Sequence, residues 1–313
     1  MSIIIPNWNG AAFLDRCIAA ALMSSAASGL ETEILLVDDA SPDGSGPASA
    51  RRYPQVRFLQ NKSNAGFGET INRGAREAAG DILVLINNDL VAREALVAEL
   101  AGPLLKNEEV FGVSGKTVDW HSQAPNHLNM AAEWDGGCMR LTYADSQTVA
   151  PTMFLQGGCC AVRRSPFLEL GGMCSVFAPG YWEDYDLSYL ALKAGWKNLY
   201  NPRAVAHHLG KQSMVRAFGS GQVAMMLRRN RFLFHLVNLT DPPLLRSHLG
   251  RWPGCLARGF ACAGPPRQEM KALVRAARQV GHVASERRRR LPLLRLTDRE
   301  VLMAFRGHGR PAD

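Results

Sequence analysis

The 313-residue chain predicts an α/β fold built on a mostly parallel, Rossmann-like sheet flanked by helices. Over its first third, short apolar runs alternate with helical stretches of roughly 10 to 15 residues, the pattern of βαβ units. The polar residues between them fall at the C-terminal ends of the apolar runs, the edge where open α/β sheets bind ligands. Hydrophobic residues make up 47% and charged residues 20% of the chain, a globular balance. A chain of this length buries enough apolar surface to fold without disulfide or metal staples.

Residues 2–5 read as a buried strand stopped by Pro6. Residues 11–22 read as a helix with Phe13, Leu14, Ile18 and Leu22 inward. Strands follow at 33–37, ending in Asp38-Asp39, and at 56–59. Residues 68–79 are helical, stopped by Gly80-Asp81. A fourth strand at 82–86 ends in Asn87-Asn88-Asp89, and 93–105 is a helix. Residues 116–153 read as loops or short antiparallel strands over the site. Residues 184–194 form a helix closed by Gly195, and 199–205 a strand followed by His207-His208. Residues 213–239 read as a long helix or helix pair whose stripe of Met214, Phe218, Met225, Met226, Phe232 and Leu236 faces the core. A break through Pro253-Gly254 and Gly264-Pro265-Pro266 precedes a basic helix at 268–290 that ends in Arg287 to Arg290.

The net charge of +8 is uneven: residues 241–313 hold 15 Lys and Arg against 6 Asp and Glu. The basic character belongs to the tail, so nucleic acid is not the expected partner. The tail reads as a packed cap with a solvated basic face, or as a peripheral contact with anionic lipid. No apolar run reaches about 18 residues, so no transmembrane helix is expected, and Met1 to Pro6 has no secretory pattern. The seven cysteines are odd in number and lack a C-x-x-C pair, and Cys159 and Cys160 are adjacent. Reduced thiols and a cytoplasmic chain are expected.

Several stretches carry chemistry. Asp38-Asp39-Ala40-Ser41-Pro42-Asp43-Gly44-Ser45 is rich in turn residues, but a carboxylate at a strand end can also accept hydrogen bonds from a nucleobase or ribose. Asn64-Ala65-Gly66-Phe67-Gly68 precedes the helix carrying Asn72, and glycines there permit close approach of an anion. The spacing is not G-x-G-x-x-G, which speaks against a dinucleotide site. Asn87-Asn88-Asp89 ends as a turn or as a hard-cation site with one carboxylate. Trp182-Glu183-Asp184-Tyr185-Asp186 puts acids in a first helical turn, where the dipole favours them. A carboxylate there can also serve as general base. A histidine of His207-His208 can complete a metal shell with Asp89.

In order and spacing these stretches resemble the family 2 glycosyltransferases, particularly the bacterial rhamnosyltransferase-like branch. The resemblance is carried by Ile3-Ile4-Ile5-Pro6-Asn7-Trp8-Asn9-Gly10, the Asp38 to Ser45 and Asn64 to Gly68 stretches, and Asn87-Asn88-Asp89. It continues through Gly157-Gly158-Cys159, Glu183-Asp184-Tyr185-Asp186-Leu187, Ala194-Gly195-Trp196 and His208-Leu209-Gly210-x-x-Ser213, covering roughly residues 2–215.

The resemblance implies a GT-A fold over residues 1–212, with a nucleotide-binding half at 1–115 and an acceptor and catalytic half at 116–212. Residues 213–313 are then a helical, basic extension. It implies a nucleotide-diphosphate-sugar donor, dTDP- or UDP-linked, with Mg²⁺ or Mn²⁺, and inversion by one direct displacement. The acceptor is then a glycan or lipid-linked hydroxyl; in its lipid-contact reading the basic tail attaches the cytoplasmic chain peripherally to the inner face of the plasma membrane. By position, Pro6, Asn7, Trp8 and Asn9 contact the donor, with Asp38 or Asp39 holding base and ribose. Asn64, Gly66, Phe67, Asn72, Asn87 and Asn88 complete that set. Asp89 and His208 bind the metal; His208 is preferred to His207 because Gly210 and Ser213 then fall at the family spacing. Asp184 is the base, Glu183 holds the acceptor, and Gly157, Gly158, Tyr181 and Trp182 line its pocket.

A cation suits a diphosphate leaving group, and one base on the opposite face suffices for a hydroxyl nucleophile. The sequence departs from the family at Asn87, where many relatives carry aspartate, at Phe177 to Tyr181, and at Leu190, where relatives often carry arginine. Two other readings are a catalytically silent nucleotide-sugar-binding scaffold and a sugar nucleotidyltransferase. The latter calls for a Gly-rich basic loop after the first strand, which Asn7-Trp8-Asn9-Gly10 is not.

Overall fold

The computed structural model describes residues 1–210, 218–308 and 310–311. Ser213 and Met214 lie outside the described residues. The main sheet begins with β1 (Ser2–Asn7), β2 (Glu33–Asp38), β3 (Arg57–Gln60), β4 (Ile82–Ile86) and β5 (Leu90–Ala92). It continues through β6 (Val110–Asp119), β7 (Pro125–His127), β10 (Ala150–Pro151), β11 (Cys159–Arg163) and β12 (Lys197–His208). Its central order is β12-β6-β11-β4-β1-β2-β3. β1, β2, β3 and β4 pair in parallel, as do β6 and β12. β4 is buried along its whole length, which explains its unbroken apolar run.

Two central strands, β6 and β11, are missing from the sequence reading, and the second bears on the ligand edge. It runs antiparallel between β4 and β6, so its N-terminal end lies at the edge where β1, β2, β4 and β12 end. Gly157-Gly158 thereby joins the polar edge. Four other boundaries differ from expectation. β1 continues through Pro6 to Asn7, because pairing with β4 ends at Ile4 and Pro6 faces β2 alone, where its missing N–H is tolerated. A helix, α2 (Ser45–Arg52), follows the Asp38 to Ser45 turn. Residues 90–92 form β5, so the next helix starts at Leu96. Part of the segment at 116–153 forms a hairpin of β8 (Asn129–Asp135) and β9 (Cys138–Ala144), which β13 (Arg310–Pro311) joins.

The remaining helices are α1 (Leu14–Ser28), α3 (Phe67–Glu77), α4 (Leu96–Lys106), α5 (Arg164–Glu169) and α6 (Glu183–Lys193). Five more lead towards the C-terminus: α7 (Ser220–Asn238), α8 (Pro242–Gly250), α9 (Trp252–Ala261), α10 (Pro265–Ala277) and α11 (Val280–Arg290). A sixth, α12 (Asp298–Ala304), opens on a capping box at Thr297. The break expected at Pro253-Gly254 is absent, because Pro253 sits in the first turn of α9, where a proline is tolerated. The single basic helix expected at 268–290 is two helices, divided at Arg278-Gln279.

Met130, Phe154 and Tyr189 share one apolar cluster with Leu233, Phe234 and Val301, so the C-terminal helices and the 116–212 half bury surface against each other. Polar contacts tie the same parts together. Arg290 makes two hydrogen bonds of 2.7 Å to Asp186, and Asn238 donates a third to that carboxylate. Lys193 Nζ reaches Asp298 Oδ1 at 2.8 Å as well as Asn238 O and Thr240. Leu190 lies in the apolar core, and the guanidinium beside Asp186 comes from Arg290 instead. Of the expected solvated run, Arg287 turns onto the carbonyls of Leu236 and Leu239 and Arg289 onto that of Leu170. Arg288 remains exposed.

Asp186 is 0% exposed, so removing its partner strands a buried charge. Arg290→Ala is expected to lower unfolding free energy by about 3–5 kcal/mol in urea titration. The double change Arg290→Met with Asp186→Leu should recover most of that loss.

Candidate active site

A cleft of about 460 Å³ opens over the strand ends, within the range of ligand pockets. Pro6, Asn7, Trp8, Asp39, Asn64, Gly66, Phe67, Asn87, Asn88 and Asp89 line it. So do Gly157, Gly158, Tyr181, Trp182, Glu183, Asp184 and His208. Of the residues expected from sequence, Asn9, Asp38 and Asn72 do not line it.

Asn7 knots the strand ends together. Its amide nitrogen donates to Asp38 Oδ1 at 2.7 Å and to Ser45 Oγ at 2.9 Å, and its oxygen accepts from Asn88 at 2.8 Å. A Cβ at Gly10 would collide with Asn7 and Asn88. Asp38 is thus consumed beneath the cleft floor. Asn72 turns away and grips the backbone of Met173 at 2.8 and 2.9 Å, while Asn9 is exposed. Asp39 accepts from Asn61 and from the backbone N–H groups of Ala65 and Gly66 at 2.7–2.9 Å. It fixes the 64–67 loop, which in turn abuts Pro179 through a hydrogen bond from Phe67 N–H.

Asp89 and His208 meet because β5 pairs with β12, placing His208 opposite Leu90. His208 Nε2 lies 3.5 Å from Asp89 Oδ2. Strand alternation sends His207 elsewhere: its Nε2 accepts from Arg93 at 3.0 Å and its ring meets Trp120 edge-on. Burial and the Arg93 charge hold the His207 imidazole below its usual value. The buried Asn87 Oδ1 has no hydrogen-bond partner, nor has Gln156 Oε1. Among the described residues, no three His, Cys, Asp or Glu side chains form a metal-ligating cluster.

The acidic wall is set by two glycines and a strained turn. Tyr181 and Trp182 have φ of 73° and 78°, each worth roughly 1–3 kcal/mol of strain for a non-glycine residue. Helix α6 starts immediately after them. Asp184 Oδ2 accepts from Gly157 N–H at 3.0 Å and Oδ1 from Tyr185 N–H at 2.9 Å. A Cβ at Gly157 would press on Asp184, and one at Gly158 would collide with Asn87.

Burial raises the Asp184 carboxyl, and its backbone N–H donors oppose that rise. Burial and the Asp184 charge raise Glu183 well above the carboxylate range, and Glu183 Oε2 has no hydrogen-bond partner. The donors at 2.9 and 3.0 Å sit on Asp184, whereas backbone contacts to Glu183 do not offset its burial and the Asp184 charge. The negative charge of the pair therefore belongs on Asp184 and the proton on Glu183. The neighbouring Cys160 thiol and Tyr185 phenol are raised by burial and by the Asp184 charge, and stay neutral.

Residues that sequence reasoning did not assign also reach the cleft, among them Thr70, Gln156, Tyr185, Phe218 and Leu227. Phe218 stacks 6.1 Å from Trp8. Gln156 stands directly before Gly157-Gly158, which was its only sequence signal. Phe218 and Leu227 come from a segment whose apolar stripe reads as core.

The glycosyl transferase family 2 model matches residues 2–171. The chain belongs to that family. It is a glycosyltransferase, and its fold is of the GT-A type. Among curated proteins it is similar to the N-acetylglucosaminyl-diphospho-decaprenol L-rhamnosyltransferase of Mycobacterium tuberculosis. The two are 28% identical over 241 residues, covering 66% of this chain and 76% of that protein. Among solved structures it resembles GalNAc-T7 with UDP, GalNAc and Mn²⁺, at a TM-score of 0.62 and 17% identity. That match covers 88% of this chain and 54% of the other, so the chain spans about half its length. It also resembles Staphylococcus aureus TarS 1–349 in complex with UDP-GlcNAc, at a TM-score of 0.58 and 12% identity, over 98% and 92% of the two chains.

A carboxyl that holds its proton more tightly folded than unfolded stabilises the fold at low pH, relative to high pH. That stability is lost as pH rises through the raised value. Glu183→Gln should therefore leave the melting temperature unchanged near pH 4. It should raise it increasingly towards pH 8, as read by thermal unfolding across that range.

Proposed function

We propose that this family 2 enzyme is an inverting glycosyltransferase that moves a sugar from a dTDP- or UDP-sugar to a hydroxyl of a glycan or lipid-linked acceptor. What carries the reading is one cleft lined both by a buried, N–H-supported carboxylate and by a carboxylate–imidazole pair. The lipid-linked acceptor is favoured by the decaprenol-linked substrate named for the mycobacterial relative.

In this scheme Asp39, with the 64–67 loop it fixes, holds the nucleoside side of the donor. Asp184 takes the proton of the acceptor hydroxyl as its oxygen bonds to the anomeric carbon, and the bond from that carbon to the nucleoside diphosphate breaks. Protonated Glu183 donates a hydrogen bond to the acceptor. Trp8, Phe218, Tyr181 and Trp182 supply ring faces that exclude water around the sugars. Asp89 and His208, a carboxylate and an imidazole 3.5 Å apart in the cleft, would hold a Mg²⁺ or Mn²⁺ ion. Such a cation neutralises charge on the leaving diphosphate.

Asp184→Asn should lower kcat by about 10²–10⁴-fold while nucleoside diphosphate binding, read by calorimetry, stays within about 2-fold. A variant that loses binding in step with turnover would count against the assignment. UDP or dTDP should raise the melting temperature of the unchanged protein far more with Mn²⁺ than with chelator. Asp89→Asn or His208→Ala should abolish that difference.

We also propose that the protein works at the cytoplasmic face of a membrane. None of the described helices is long and apolar enough to cross one. Arg267, Lys271, Arg275 and Arg278 are exposed at helical spacing along and just beyond α10, and Phe260 nearby is 81% exposed. Anionic lipid attracts such residues by about 1 kcal/mol each. Changing these four to Glu should abolish co-sedimentation with phosphatidylglycerol vesicles; undiminished binding would refute the contact.

A further inference from the structure

Helix α7 carries a fully buried amide that the reaction scheme does not use. Asn230 is 0% exposed. Its Nδ2 donates to the carbonyls of Phe177 at 2.9 Å, Gly180 at 3.0 Å and Tyr181 at 2.7 Å. Arg229 Nε donates to Asn230 Oδ1 at 2.8 Å, which fixes the end of the amide that faces the loop, and Arg229 Nη2 reaches Ala178 O at 2.6 Å. Two adjacent side chains, more than 40 residues on, thus hold four carbonyls of one loop.

That loop is the turn with two consecutive left-handed, non-glycine residues, Tyr181 and Trp182. Such conformations persist only where the surroundings over-determine them. Trp182 is also the N-cap of α6 and offers no side-chain cap, so little within the helix itself sets the start of its first turn. Glu183 and Asp184 are the next two residues. The buried Arg290–Asp186 pair anchors α6 from its other neighbour, leaving the 177–182 loop as the part that Asn230 and Arg229 gather.

We propose that Asn230, oriented by Arg229, is a positioning residue for the general base: it locks the 177–182 loop so that Asp184 points into the cleft against Gly157 N–H. The proposal rests on the reading of Asp184 as base. Once the three carbonyls are released, Tyr181 and Trp182 relax towards negative φ. The first turn of α6 then rotates, and Asp184 leaves its hydrogen bond to Gly157. Displacements of about 1 Å at a reacting group lower rates by up to roughly 10²-fold.

The test compares Asn230→Ala, Asn230→Asp and Arg229→Ala with the unchanged full-length protein. For Asn230→Ala, kcat should fall about 10- to 100-fold, with donor KM and the melting shift given by nucleoside diphosphate and Mn²⁺ within about 2-fold. The acid limb of its kcat–pH profile should move to lower pH, because water then reaches the Glu183–Asp184 pair. Asn230→Asp keeps the volume but aims a carboxylate at three carbonyls, so it should fare no better than alanine. A role in packing alone would instead spare it. Arg229 is partly exposed, and its alanine variant decides the matter should the Asn230 variants not fold: a smaller loss in kcat with the same limb shift is expected. Asp184→Asn is measured alongside. If it retains turnover, the base reading falls and the clamp with it. If it is inactive while the Asn230 and Arg229 variants keep the unchanged kcat and acid limb, the clamp alone is overturned.

Discussion

Asp184 carries its charge in a wall where burial opposes charge, and the backbone N–H groups of Gly157 and Tyr185 are what its carboxylate receives in return. Most of the local architecture follows from that exchange. Gly157 must lack a Cβ to approach, and it approaches because β11 enters the sheet antiparallel and begins at the ligand edge. Tyr185 N–H is available because α6 starts at Glu183, directly after a left-handed turn. Glu183 shares the burial and also faces the Asp184 charge, and its backbone contacts do not offset the two, so it keeps its proton. Two adjacent acids are thereby separated in charge by burial, backbone donors and their mutual repulsion.

The basic C-terminal region is built into the same wall. Arg290 neutralises Asp186 one turn into α6, Lys193 closes the far end of that helix against Asp298, and Asn230 gathers the loop before it. Buried ion pairs contribute modestly to net stability but strongly penalise loss of one partner. This arrangement therefore fixes geometry more than it adds free energy. The polycation implied by composition divides into an inward set that orders α6 and an outward row along α10.

The sheet, its ligand edge and most of the cleft residues were legible in the sequence, because strand-end Asn and Asp residues and glycine pairs have few other uses in that pattern. Three kinds of information were not. β11 is a short apolar run whose insertion between β4 and β6 depends on long-range pairing. Asp38 and Asn72 are polar residues of the right type in the right stretch, and only side-chain direction shows that one braces Asn7 and the other Met173. Arg287, Arg289, Arg290 and Asn230 act on residues about 50 to 120 positions away in the chain, a separation that leaves no local trace. The choice between His207 and His208 followed motif spacing, and strand alternation places His208 in the cleft.

A ¹³C-carboxyl NMR titration of the intact protein, assigned with Glu183→Gln and Asp184→Asn, tests the division of charge at this wall most directly. The account predicts that at pH 7 Asp184 is ionised and Glu183 still protonated, the pair titrating in two well-separated steps. A proton resident on Asp184, or both groups ionising together in the ordinary carboxylate range, would contradict it.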